Sequence, residues 1–63
     1  MNIIKDNRIK KKMFQKDLAL YCGVDRSTVT KWETGQAIPR PDKLVKLSEL
    51  FNCTIDELVK GEK

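Results

Sequence analysis

Residues 15–32 read QKDLALYCGVDRSTVTKW. Leu18, Ala19 and Cys22 share one face of a helix that runs from Gln15 to Cys22, at i to i+4 spacing. Gly23 then stops that helix, because glycine tolerates positive φ and lets the chain turn sharply. Asp25 follows as an N-cap, its carboxylate placed to accept the amide of Thr28. A third helix continues to about Glu33 with Val29 and Trp32 as its apolar face, and Thr34-Gly35 ends it. Two helices that cross steeply after so short a turn approach closely, so a small side chain is needed at the crossing. Ala19 supplies it, Gly23 supplies the turn, and Val24, Val29 and Trp32 seal the pair onto the rest of the chain.

Outward from this stretch the pattern stays helical. Asn2 caps a first helix that extends to about Lys12, with Ile3, Ile4, Arg8 and Ile9 at roughly helical spacing. Lys10, Lys11 and Lys12 then fall in its last turn and complement the helix dipole. Gln36 to Arg40 is a loop, and Pro41 suits the first turn of a fourth helix, whose stripe is Leu44, Leu47, Leu50 and Phe51 up to Asn52. Thr54 and Glu57 form a capping box that opens a fifth short helix, with Ile55, Leu58 and Val59 turned inward. Gly61 ends it and residues 61–63 form a frayed tail. No strand pattern or internal repeat is legible, so the expectation is one all-α domain of five short helices over residues 1–63. Met1 and the capped fifth helix favour a complete chain.

Composition narrows the function. The net charge of +4 favours a polyanionic partner, nucleic acid or an anionic surface. Histidine is absent, which removes the commonest general base and metal ligand, and neither Ser27 nor Ser48 has a base at a suggestive spacing. The chain is therefore not expected to be an enzyme, nor to hold a metal or cofactor. Cys22 and Cys53 sit at apolar positions without metal-site spacing or a secretory leader. They read as small buried hydrophobes in a reducing cytoplasm, with one disulfide as the alternative. No run approaches transmembrane length, and no membrane or small-molecule partner is expected.

Arg8 before Gln15, then Gln15, Ala19, Gly23-Val24, Trp32-Glu33, Gly35, Pro39, Leu44, Leu47 and Asn52, Thr54, Asp56-Glu57-Leu58 together resemble the lambda-repressor-like helix-turn-helix family (Cro/cI, XRE type). The resemblance covers nearly the whole chain. It implies that the third helix enters the major groove of double-stranded DNA. It points to Arg26, Ser27, Thr30 and Lys31 as base-contacting residues, with Arg26 and Lys31 suited to guanine. Gln15, Lys16, Thr28, Gln36, Arg40 and Lys43 are the phosphate-contacting candidates. Lys16 and Lys43 read equally as solvated lysines, Thr28 as a back-bond to Asp25, and Gln15 as a brace for Arg26. Arg8 and Glu33 occupy positions that pair in similar proteins and are expected to form a partly buried ion pair.

Two positions depart from the family pattern. Phe14 stands where serine or threonine usually caps helix two, a loss of about 1 kcal/mol; it packs as a staple or stands exposed. Arg40 stands where a small hydroxyl residue usually precedes helix four. The expected function is a transcriptional repressor that binds a palindromic operator as a homodimer, weak off DNA, through helix five and the loop before it. The alternative is a protein-binding module on the same fold, such as an antitoxin or adaptor. Such a module would show apolar residues on helix three, where this chain is polar and cationic.

Overall fold

A computed structural model describes residues 2–60. Five helices follow one another: α1 Ile3–Lys10, α2 Gln15–Cys22, α3 Arg26–Thr34, α4 Pro41–Phe51 and α5 Ile55–Lys60. There is no strand among the described residues. The expected stop at Gly61 and the tail after it lie outside them.

Local chemistry explains most of the boundaries. Asn2 caps α1, its Oδ1 accepting the Lys5 amide at 3.0 Å, and its Nδ2 donates to the Trp32 carbonyl at 3.0 Å. One side chain thus closes a helix end and ties it to α3. α1 stops sooner than the expected Lys12, because Lys12 takes a left-handed backbone (φ 58°). The Met13 amide then returns to the Arg8 carbonyl at 3.1 Å. Of the three lysines, only Lys10 lies in the last turn. The Thr54 box forms as the spacing requires. Thr54 N donates to Glu57 Oε1 at 3.0 Å, and Glu57 N donates to Thr54 Oγ1 at 3.1 Å.

Two caps differ from expectation. Asp25 occupies the N-cap of α3, but its side chain makes no capping bond. The Thr28 amide is satisfied instead by the Asp25 backbone carbonyl at 3.0 Å. At α2 Phe14 has no hydroxyl to accept an amide, and only half of a capping box remains. The Asp17 carboxylate accepts the Phe14 amide at 2.8 Å, which retains the return arm of a capping box.

The core is a single cluster: Ile3 and Ile4 from α1, Leu18, Ala19 and Cys22 from α2, Val29 and Trp32 from α3, Leu44, Leu47 and Phe51 from α4, and Leu58 from α5. Val24, Met13 and Leu50 pack against it. Two apolar residues expected inside, Ile55 and Val59, are outside, and so is Ile9 of the α1 pattern. Ile9 is exposed because α1 presents Ile3, Ile4 and Asn7 to the core, leaving Ile9 on the far side. Asn7 tolerates burial by donating Nδ2 to the Ile3 carbonyl at 2.8 Å. Ile55 and Val59 are exposed because the short α5 turns only the Leu58 face inward.

Cys22 is fully buried and is not in a disulfide. Burial pushes its thiol up, and the opposing charges of Lys43 and Lys46 only partly offset this. It is an inert core thiol at neutral pH.

The turn at Gly23 carries a prediction. Its φ is +71°, yet nothing lies within 4 Å of where a Cβ would stand. Gly23→Ala is therefore expected to cost about 1–2 kcal/mol through backbone strain alone. A thermal melt checks this. An unchanged midpoint would show that the turn relaxes without penalty.

Candidate nucleic-acid interface

α3 is the element on which the site is built. At roughly 100° per residue, Val29, Trp32 and Glu33 fall on its inner side and Ser27, Lys31 and Thr34 on its outer side. Arg26 and Thr30 flank the outer strip toward α2, and Thr28 flanks it toward the loop before α4. Exposure agrees: Arg26, Ser27 and Lys31 are exposed, while Thr28 and Thr30 are half-buried.

Beneath this surface lies a polar seam. Arg8 donates Nε to Glu33 Oε2 at 2.6 Å and Nη2 to Glu33 Oε1 at 3.2 Å, a two-pronged ion pair joining α1 to the end of α3. Its Nη1 also donates to the Met13 carbonyl at 2.8 Å, holding the segment between α1 and α2. The side chains of Arg8 and Glu33 are 11% and 3% exposed, so the pair is desolvated. Gln15 Nε2 donates to Glu33 Oε1 at 3.0 Å, and Thr30 Oγ1 donates toward Gln15 Oε1 at 3.2 Å. Gln15 thus braces Glu33 and Thr30, and it lines the same concavity as Arg26. The network fixes the angle of α3 against α2 with groups that share no sequence proximity.

Among the concavities that border α3, two flank its outer strip. One, of about 440 Å³, is lined by Arg8, Phe14, Gln15, Lys16 and Arg26. It lies at the N-terminus of α2, where amides and the helix dipole favour an anion. The other, of about 330 Å³, is lined by Val24, Thr28, Trp32, Ala37, Ile38, Arg40 and Lys43. The structure therefore gathers Gln15 and Lys16 with Arg26 on one side of α3, and Thr28, Arg40 and Lys43 on the other. Gln36 is exposed just past the end of α3. Lys43 also pairs with Asp42 at 3.4 Å, on an α4 N-terminus that Arg40 leaves without a side-chain cap.

Three residues of this surface were not singled out by spacing. Phe14 is 69% exposed, with the Lys16 ammonium 5.8 Å from its ring centroid. Its departure from the family pattern was the only signal. Ile38 is also exposed beside Arg40, and Thr34 continues the outer strip of α3. No metal-ligating cluster occurs among the described residues, and none of their helices is long and apolar enough to cross a membrane.

Two packed helices joined by a three-residue turn, the second polar on its outer side, match the helix-turn-helix arrangement of DNA-binding proteins. The family model for helix-turn-helix proteins matches residues 4–58. The chain belongs to the lambda-repressor-like, XRE-type helix-turn-helix family. It is 39% identical over 56 residues to the HTH-type transcriptional activator BcrR of Enterococcus faecalis, covering 89% of this chain and 28% of that protein. It is 32% identical over 59 residues to Repressor protein C2 of Salmonella phage P22, covering 94% of this chain and 27% of that protein. An uncharacterized HTH-type transcriptional regulator, YqaE of Bacillus subtilis, is 32% identical over 59 residues, 94% of this chain and 51% of that protein. The chain thus spans between 27% and 51% of the length of these relatives. The solution structure of the DNA-binding domain of the P22 C2 repressor has the same fold. It aligns with a TM-score of 0.78 at 33% identity, covering 92% of this chain and 76% of that one.

Proposed function

We propose that this helix-turn-helix chain reads double-stranded DNA in a sequence-specific way and represses transcription by occupying a palindromic operator as a homodimer. One observation carries the reading. α3 leaves Arg26, Ser27 and Lys31 free on and beside its outer strip while Arg8, Glu33, Gln15 and Thr30 lock its edge toward α2. A rigid helix with a polar, cationic outer strip suits base-edge readout better than docking to an apolar protein surface.

In this reading Arg26 and Lys31 seek guanine, with Ser27 and Thr30 beside them on the base edges. Gln15 and Lys16 hold a phosphate on one flank, and Thr28, Gln36, Arg40 and Lys43 hold phosphates on the other. One domain covers one half-site, so two copies meet with recognition helices about 34 Å apart. The exposed Ile55 and Val59 of α5 offer an apolar surface for that meeting. Among the relatives one is named an activator and one a repressor. Occupancy over a promoter gives repression by excluding polymerase.

Selection of bound sequences from a random duplex pool, followed by titration at several salt concentrations, tests the proposal. The expected result is an enriched palindrome with affinity falling steeply as salt rises. Lys16→Ala should weaken binding evenly across sequences and flatten the log–log salt slope by about 1. Binding without sequence preference, or none at low salt, would overturn the reading.

A further inference from the structure

The seam between α2 and α3 has a direction, set by which groups can donate. The Arg8 guanidinium only donates, and it occupies both oxygens of Glu33. The carboxylate only accepts, so the Gln15 atom 3.0 Å from it is the amide nitrogen. This orients the Gln15 amide and turns its oxygen to Thr30. Thr30 Oγ1 stands 3.2 Å from Gln15 Oε1 and 3.2 Å from the Arg26 carbonyl, both acceptors. A hydroxyl carries one proton, and here that proton is committed inside the protein. None remains for N7, O6 or O4 on a base edge. Its lone pairs can still accept from an amino group, but thymine presents none in the major groove, so toward a thymine Thr30 has its γ-methyl to offer.

We infer that Thr30 reads a thymine, packing its γ-methyl against the C5-methyl in the major groove and making no hydrogen bond to the base. Apolar contact with the thymine methyl is a recognised use of threonine. The inference rests on α3 being the DNA-reading helix and adds which base this position selects and by what force. It also gives Arg8, Glu33 and Gln15 a joint positioning role: through the chain of donors they decide which face of Thr30 the DNA meets.

The test uses the operator obtained by selection. Each thymine of a half-site is replaced in turn by deoxyuridine, which removes only the methyl group. Binding of the full chain to each duplex is then measured by fluorescence anisotropy. The unaltered chain should lose about fourfold in affinity at one thymine, the worth of one buried methyl group. Thr30→Val keeps a methyl and lacks the hydroxyl, so it should show the same loss at the same position. Thr30→Ser keeps the hydroxyl and lacks the methyl, so the loss should vanish. Each ratio compares two DNAs on one protein, so a general loss of affinity in either variant cancels. Indifference to uracil at every thymine overturns the inference. So does a sensitive thymine whose effect persists in Thr30→Ser, or disappears in Thr30→Val. A pool with no enriched sequence defeats the DNA-reading function itself, and the Thr30 inference with it.

Discussion

Glu33→Ala is expected to lower the free energy of unfolding by about 3–5 kcal/mol, the cost of stranding a buried charge. Arg8 is 11% exposed and would keep only the Met13 carbonyl at 2.8 Å. Gln15 Nε2 would lose its acceptor as well, so the seam between α2 and α3 would come undone at two points. Domains hold roughly 0.05–0.15 kcal/mol per residue, which gives a chain of 63 residues about 3–9 kcal/mol, so such a loss removes a large part of its stability. A urea titration followed by far-ultraviolet circular dichroism checks this. Arg8→Met combined with Glu33→Leu should recover most of the loss, because apolar replacement of a buried pair is often neutral or stabilising. A cost below about 1 kcal/mol for Glu33→Ala would instead place the pair with exposed salt bridges.

That pair shows how far the sequence carries. Helix ends announced themselves because their causes are local. Asn2, Gly23, Gly35, Pro41 and the Thr54–Glu57 box each act within a few residues of themselves. Family resemblance paired Arg8 with Glu33, twenty-five positions apart. The third and fourth members of the network were not legible in the same way. Gln15 stood at the start of a helix, where a phosphate contact was the natural reading and a brace for Arg26 the second one. Its choice of Glu33 and Thr30 depends on how α2 lies across α3, which no spacing encodes. Burial at element edges was hidden for a related reason. Asn7 enters the core and Ile9 leaves it because the facing helices set which side of α1 is inner. Ile55 and Val59 fit an inward pattern on paper, but α5 is too short to bury more than one row. Asp25 has the right residue type for a cap and does not use it, since the Thr28 amide already has a backbone partner.

Arg26→Ala should leave the fold intact and damage recognition. The side chain is exposed at the first position of α3, so the change in stability should stay within about 0.5 kcal/mol. Affinity for the selected operator should fall by about 1–3 kcal/mol per half-site, with specificity relaxed at a single base pair. The measurement is a cycle of two proteins and two DNAs. Changing that guanine should cost the unaltered chain the full amount and the variant little, so the two losses fail to add. Even weakening across all sequences, with a salt slope lowered by about 1, would place Arg26 on a phosphate instead. The local physics favours a role on DNA over a role in the fold. A cation at a helix N-terminus opposes the dipole, which prefers acidic groups there, and α3 has none in its first turn. Sequences break such local rules most often where function requires it. Removing Arg26 should therefore make the isolated helix no worse, and any loss on DNA measures recognition rather than folding.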